Sequence, residues 1–434
     1  MKAKISPGKR KYEKMQAIAS KSYVHRYLIA AALSGEVTTL YTDILSEDML
    51  ATMDCLNAIG ASAMRIKGGI RIVPMRKDSE LCKPTLKCRE SGSTARFMLP
   101  VMSALFPAFC MEGEGRLPNR PFAPICKALK ENGVETSGNY LPMYVQGRLK
   151  AGTFSISGNV SSQYITGLLF ALPLLEDDSK IMLTSKLESK GYIDITISVL
   201  KEFGIHVEET DYGYFVPGNQ TYCSPGIIHA PGDWSNAAFF LCMGALGEGV
   251  MLTGLNQDDL QGDRAVVDIL KKFGADVHIT EEGIEVLPGP LQGIVLDVSQ
   301  IPDLVPVLCV VAAHATGDTE FHKAERLRIK ESDRIVSMQE LLRNLGCEMI
   351  DREEADGHTT LIVKGRESSA SGFLHGGCVD GYKDHRIVMS AATAAVGSGC
   401  EITIIGVEAV DKSYPGFFED YRRIFEQVDI AFEM

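Results

Sequence analysis

Tryptophan is nearly absent from this chain of 434 residues; Trp234 is the only one. Positive charge is also in short supply. The net charge of −12 argues against a nucleic-acid-binding protein, which needs a basic face. It leaves room for a basic pocket, because a local field can oppose the net charge. The 11 cysteines are scattered, with no Cys-x-x-Cys pair, and the nearest neighbours, Cys82 and Cys88, have no histidine cluster beside them. So odd and dispersed a set reads as reduced thiols, mostly buried, in a cytosolic protein. The longest apolar runs are about half of the ~20 residues that a membrane span needs. The Lys-rich N-terminus lacks the apolar segment of a signal peptide. A soluble, cytoplasmic protein is expected. Metal motifs, a Gly-rich dinucleotide loop, a P-loop and a nucleophile elbow are missing too.

What the chain does have is repetition. Six apolar runs begin near Tyr23, Thr94, Gln163, Asn236, Asp303 and His385, at steps of 71, 69, 73, 67 and 82 residues. Runs such as Ala237-Ala238-Phe239-Phe240-Leu241 are apolar on every side, which predicts buried helices. A second series interleaves with the first. Leu-x-x-x-Gly closes five helices at Gly60, Gly133, Gly204, Gly274 and Gly346, spaced 73, 71, 70 and 72. Gly accepts the left-handed conformation that ends a helix. Strand-like runs follow, such as Ile205-His206-Val207-Glu208 and Ala275 to Ile279. The sixth copy, Phe425-Glu426-Gln427-Val428, is degraded and late. Each unit reads as strand, buried helix, strand, amphipathic helix and strand pair. Six such α/β units divide into two domains of three, with the joint near Pro225-Gly226 to Pro231-Gly232.

Polar residues gather where the buried helices begin. A helix N-terminus attracts anions. Ser20 is a good N-cap, and Lys21 follows in the first turn, where the dipole disfavours a cation unless an anion sits there too. Ser22 and Arg26 share a face. Glu90-Ser91-Gly92-Ser93-Thr94-Ala95-Arg96 offers a close backbone approach at Gly92, and Arg116 and Arg120 lie in a Pro-stiffened loop. Ser161-Ser162-Gln163 can bind phosphate oxygens or merely cap their helix. Ser189-Lys190 follows between a strand and a helix. Asp233-Trp234-Ser235 carries no cation and reads as capping and packing. Asp303 is either an N-cap, the reading its residues favour, or a carboxylate base. The densest cluster is Arg326-Leu327-Arg328-Ile329-Lys330-Glu331-Ser332-Asp333-Arg334. Leu327 and Ile329 alternate like a strand entering a helix near Ser332, which shows a core stripe at Ile335, Met338, Leu342 and Leu345. Glu331 is an ion-pair partner or an acid–base group held by cations. Asp384-His385-Arg386 opens the sixth buried helix, and Lys412 adds a late cation. Cations, hydroxyls and a few carboxylates suit acid–base group transfer on phosphorylated substrates.

Taken together, Ser20-Lys21-Ser22 with Arg26, Ser91-Gly92-Ser93 with Arg96, Arg120-Pro121, Ser161-Ser162-Gln163, Lys330-Glu331-x-Asp333-Arg334, Asp384-His385-Arg386 and Lys412 resemble the 5-enolpyruvylshikimate-3-phosphate synthase family of enolpyruvyl transferases. The resemblance runs in order along essentially the whole chain. It implies two similar domains, each of three βαβαββ units with buried parallel helices (an inside-out α/β barrel), closing on substrate. They would span 15–229, facing 3-phosphoshikimate, and 230–434 with 1–14, facing phosphoenolpyruvate. The implied reaction moves the enolpyruvyl group of phosphoenolpyruvate to the 5-hydroxyl of 3-phosphoshikimate. Phosphate is released through a tetrahedral intermediate, in the sixth step towards chorismate and the aromatic amino acids. No metal or organic cofactor, nucleic acid or membrane is implied, and a monomer is expected. By the resemblance Lys21, Ser22, Arg26, Ser161, Ser162, Gln163, Ser189, Asp303 and Lys330 would bind 3-phosphoshikimate. Lys21, Gly92, Arg120, Gln163, Arg334, Arg386 and Lys412 would bind phosphoenolpyruvate. Asp303 would take the hydroxyl proton, Glu331 would protonate the methylene carbon with Lys330 supporting it, and Lys21 would assist catalysis. His385 would be positional.

Some positions depart from the family's usual pattern. Glu90 stands where Asn is common, and an acid there weakens anion binding unless a cation pairs with it. Ser93 replaces Thr, Ala19 and Gly191 replace Gly and Pro, and Arg326 stands where Asn is frequent. The sister transferase acting on UDP-N-acetylglucosamine usually carries a reactive Cys in the Arg-Pro loop, and none lies between Gly113 and Pro121. An RNA-end-processing protein of related repeats would need the aromatic and basic stripe that this chain lacks.

Overall fold

Each expected buried helix forms, and each begins just beyond a short strand. The computed structural model describes residues 1–6, 9–10, 14–76, 83–366, 374–426 and 430–433. Within them lie twelve α-helices. The first six are α1 (Lys21–Leu33), α2 (Glu47–Ala58), α3 (Gly92–Leu105), α4 (Ala123–Glu131), α5 (Ser162–Ala171) and α6 (Lys190–Glu202). The rest are α7 (Trp234–Leu246), α8 (Val266–Phe273), α9 (Val305–His314), α10 (Arg334–Asn344), α11 (His385–Ser398) and α12 (Phe417–Ile424). The chain divides into two compact units: Ala19–Pro231, and Met1–Ile18 with Gly232–Met434.

Helices α1, α3, α5, α7, α9 and α11 are the six buried ones. Phe239, Phe240 and Leu241 are all fully buried. Three successive helical residues point in three directions, so α7 is packed on every side. Each such side chain contributes about 1.5–3 kcal/mol, which explains why these stretches tolerate no polar face. Helix α3 packs on α5, and α7, α9 and α11 pack on one another.

Six four-stranded sheets share one plan: a parallel pair followed by two antiparallel pairings. In one, Thr85–Lys87 runs parallel to Ala108–Glu112, which pairs antiparallel with Met143–Gly147, and that with Val134–Thr136. A parallel pair needs a crossover, and α3 supplies it. The sheet of Gly377–Asp380 and Ile402–Ile405 is completed by the N-terminal strand Lys2–Ile5, with Lys2 opposite Ile405, and by Ile430–Glu433. The buried helices therefore start beyond the C-terminal ends of their leading strands, where ligands bind in open α/β sheets.

The five helix-ending glycines all have positive φ, from 77° at Gly204 to 106° at Gly274. The runs after them differ from expectation at one place. The strand is Glu208–Thr210 rather than the run from Ile205, because Ile205 N still bonds Leu200 O at 2.9 Å to close α6. The strand expected at Leu327 and Ile329 is a 3-10 helix, Glu325–Ile329. Its turn buries Leu327 and leaves Ile329 47% exposed, so two apolar residues among charges did not suffice for a strand. The α10 stripe of Ile335, Met338, Leu342 and Leu345 is buried as expected. Of the ten described cysteines five are buried and two exposed, so burial is less general than expected. Cys82, Gln427 and Val428 lie outside the described residues. No described helix is long and apolar enough to cross a membrane.

Candidate active site

In the unit Met1–Ile18 with Gly232–Met434, a carboxylate collects three cations. Asp303 Oδ1 accepts from Lys330 Nζ at 3.1 Å and from Arg334 Nη1 at 2.7 Å. Arg386 Nη1 donates to the Asp303 backbone oxygen at 2.9 Å, and its Nε lies 3.6 Å from the carboxylate. Asp303 is not the cap its residues favoured. The position before α9 belongs to Leu304, whose side chain makes no cap bond, and the Asp303 side chain is held by the cations instead. Burial alone would raise its carboxyl, but Lys330, Arg386 and Arg334 outweigh burial and hold it well below the ordinary range.

Arg334 is the hub. Only 1% exposed, it donates from Nη2 to Glu331 at 2.8 Å and from Nε to Asp384 at 2.8 Å, besides its bond to Asp303. Asp333 caps α10 and Asp384 caps α11, so both helix starts are pinned. Ser332 Oγ donates to Asp384 as well, at 3.1 Å. Burial pushes the Lys330 ammonium down to about 8 against the pull of Asp303. Burial, then the nearby Asp303 charge, raises Asp263 to about 6. Asp263 accepts a hydrogen bond from Ser235 at the start of α7. His385 is buried beside Asp384, 3.7 Å away, and Lys412 is buried at the end of the 3-10 helix Val407–Lys412.

In the unit Ala19–Pro231, a second group forms around α3 and α5. Arg96 Nη1 donates to Gln163 Oε1 at 2.6 Å, and Gln163 Nε2 donates to Ser93 Oγ at 2.9 Å. The Arg96 guanidinium lies over the Phe122 and Tyr164 rings, 5.5 Å from each centroid. A Cβ at Gly92 would stand 2.9 Å from Arg120 Nη1 and 3.1 Å from Arg96 Nη1, so the glycine makes room for both. Gly92, Ser93, Arg96, Arg120 and Gln163 thus form one cluster. Ser161 caps α5 by accepting from Gln163 N, and Ser162 is buried in the first turn. Ser189 precedes α6 in the left-handed conformation, φ 54°. Glu90 is turned onto Gly115, φ +56°, where an added Cβ would collide with the Glu90 carboxylate.

Lys21 does open α1, but Ser20 makes no side-chain cap bond. Lys21 Nζ donates instead to Asp48 at 2.9 Å. Arg26 lies in the core. Its guanidinium donates to Thr196 Oγ1 at 2.8 Å, Ser22 O at 2.7 Å, Tyr192 O at 2.8 Å and Thr166 Oγ1 at 3.4 Å. Four of its five N–H groups are thereby used, and burial pushes the guanidinium pKa down to about 10. Asp48 and Asp263 were not expected as working parts, and Arg96 and Asp384 entered only as members of the matching motifs. Asp384 stood in a noted motif, while Asp48 carried no signal beyond an ordinary acid in a first helical turn.

A family model described as EPSP synthase (3-phosphoshikimate 1-carboxyvinyltransferase) matches residues 5–421. The chain belongs to the EPSP synthase family. It is 44% identical over 417 residues to the 3-phosphoshikimate 1-carboxyvinyltransferase of Clostridium kluyveri, covering 94% of each chain. The enzyme of that name from Clostridium novyi is 40% identical, again over 94% of each. The solved EPSP synthase of Acinetobacter baumannii superposes with a TM-score of 0.81 at 26% identity, covering 99% of this chain and all of that one. The enolpyruvyl transferase NikO of Streptomyces tendae, at 17% identity and TM-score 0.79, shares the fold.

Proposed function

We propose that this chain is a 3-phosphoshikimate 1-carboxyvinyltransferase of the shikimate pathway. It moves the enolpyruvyl group of phosphoenolpyruvate to the 5-hydroxyl of 3-phosphoshikimate and releases phosphate. The observation that carries the reading is Asp303 ringed by Lys330, Arg334 and Arg386 in a chain of this family. Both substrates bear a carboxylate and a phosphate, and such cations can take them up.

Under this reading Lys21, Ser22, Ser161, Ser162, Gln163 and Ser189 hold 3-phosphoshikimate, with Arg26 reaching it only through its remaining N–H. Lys21, Gly92, Arg120, Gln163, Arg334, Arg386 and Lys412 hold phosphoenolpyruvate. A carboxylate as depressed as Asp303 is a weak base. An incoming anion that competes for Lys330 and Arg386 raises its proton affinity. Asp303 then takes the 5-hydroxyl proton as the oxygen attacks C2, and Glu331 protonates the methylene carbon, so that C3 becomes a methyl group. In the second step the methyl returns a proton and phosphate leaves with the C–O electron pair. The fixed cations stabilise the developing charge without reorganising, so the chemistry calls for no metal or organic cofactor. We further assign the chain to the cytoplasm as a monomer of two βαβαββ-repeat domains, 15–229 and 230–434 with 1–14, of inside-out α/β barrel type.

Phosphate release by the purified protein tests the activity. Turnover is expected with phosphoenolpyruvate and 3-phosphoshikimate. Release with UDP-N-acetylglucosamine but not with 3-phosphoshikimate would overturn the assignment.

A further inference from the structure

A buried chain of hydrogen bonds crosses three helices behind the first turn of α3. His25 Nδ1 meets Thr52 Oγ1 at 2.7 Å, Thr52 Oγ1 meets Thr94 Oγ1 at 2.7 Å, and Thr94 Oγ1 donates to Ser91 Oγ at 2.8 Å. Ser91 Oγ also accepts from Thr94 N at 3.3 Å as the cap of α3. All four residues are buried. The hydroxyls at 52 and 94 have alternative contacts to Asp48 O, both 3.5 Å, a distance at which little bond remains.

The short contacts fix a direction. Thr94 spends its single hydroxyl proton on Ser91, so Thr52 must donate to Thr94. Thr52 has then spent its own proton, so His25 Nδ1 carries the hydrogen that reaches Thr52. One directed relay therefore runs from α1 through α2 to α3. It begins one turn after Lys21, passes one turn after Asp48 and ends beside Gly92. Buried hydroxyls lower stability unless bonded, and apolar residues of like size would fill these places at less risk. Three hydroxyls and an imidazole in series suit a positional task better than a core-filling one.

We propose that His25 and Thr52 are positioning residues for phosphoenolpyruvate, acting through Thr94 and Ser91 on the first turn of α3. That turn presents Gly92 among Arg96 and Arg120, and a small misplacement there weakens the hold on the anion. The inference rests on the activity proposed above.

Steady-state kinetics of Thr52→Val, which removes the hydroxyl at nearly constant size, test it. The KM for phosphoenolpyruvate should rise about tenfold, with the KM for 3-phosphoshikimate little changed. Thr52→Ser should restore the wild-type value, and the double variant with Ser91→Ala should be no worse than Ser91→Ala alone. A wild-type KM in Thr52→Val, an equally impaired Thr52→Ser, or a proportional rise of both KM values would overturn it. Should Thr52→Val not fold, Thr94→Val reads the next link by the same two constants. Amide exchange tests the linkage without turnover: substitution should speed exchange over residues 91–96 and leave α5 unchanged. Unaltered exchange there would refute the relay even if the enzyme is active, whereas absent wild-type turnover with altered exchange would refute only the activity.

Discussion

Lys330 shows how one residue can carry both a structural cost and a functional gain. Burial brings its ammonium from the ordinary 10.5 down to about 8, with Asp303 pulling the other way. The charged form is therefore disfavoured in the folded chain. Folding stability rises as pH climbs from about 8 towards 10.5, but the cation that meets Asp303 is lost over the same window. In the free enzyme, kcat/KM for 3-phosphoshikimate should fall about tenfold per pH unit above pH 8. Lys330→Arg should move this limb upward, because a guanidinium stays charged. A pH profile of both proteins checks this, and coincident limbs would remove Lys330 from the role. Residue identity made the cation recognisable in the sequence. Its depressed value was not legible there, since it depends on burial and on a carboxylate 27 positions away.

At the level of elements, Asp384 joins two helices. It caps α11 through Arg386 N at 3.0 Å and pairs with the buried Arg334 at the start of α10. Losing the cap costs about 1 kcal/mol, and leaving a buried cation without this partner costs about 3–5 kcal/mol. Asp384→Ala should therefore destabilise the fold by about 4–6 kcal/mol. Asp384→Asn keeps an oxygen for the cap and should be the less damaged of the two. Urea unfolding at neutral pH decides, and equal losses would show that the cap oxygen contributes nothing beyond the charge. Capping by Ser161 and Asp233 was legible from residue type. Ser20, Asp303 and the 3-10 turn at Leu327 were misread because caps and short alternations are local signals. Tertiary partners, Lys330, Arg334 and Arg386 in the case of Asp303, override them.

Across the whole molecule, each unit repeats one sheet plan three times, and distant segments complete some of the sheets. The strand Lys2–Ile5 lies between Ile402–Ile405 and Ile430–Glu433, with Ala3 and Ile5 fully buried. Removing residues 1–6 takes away two ladders and the burial of Ile5, worth about 1.5–3 kcal/mol by itself. The truncated chain should lose amide protection at Ile402–Ile405 while the helices of Ala19–Pro231 keep theirs. Hydrogen exchange by mass spectrometry reads both, and retained protection at Ile402–Ile405 would contradict the architecture. The repeat length was legible because period and helix-ending glycines recur. The pairing of Lys2 with Ile405 was not, because nothing in a short strand names a partner some 400 residues away.

By itself the sequence determined the buried helices, their stops and the kind of chemistry. Apolar faces, glycines and clustered cations are local properties that each segment carries wherever it lies. Tertiary structure decided which of those groups work together. It made Arg334 a hub for Asp303, Glu331 and Asp384, turned Asp303 from a cap into a carboxylate under three positive charges, and spent most of Arg26 on the core. It also strung His25, Thr52, Thr94 and Ser91 into one relay. The physical reason is the same in each case. Charge strength, proton affinity and hydrogen-bond direction depend on distance and burial, and these exist only once remote segments have packed.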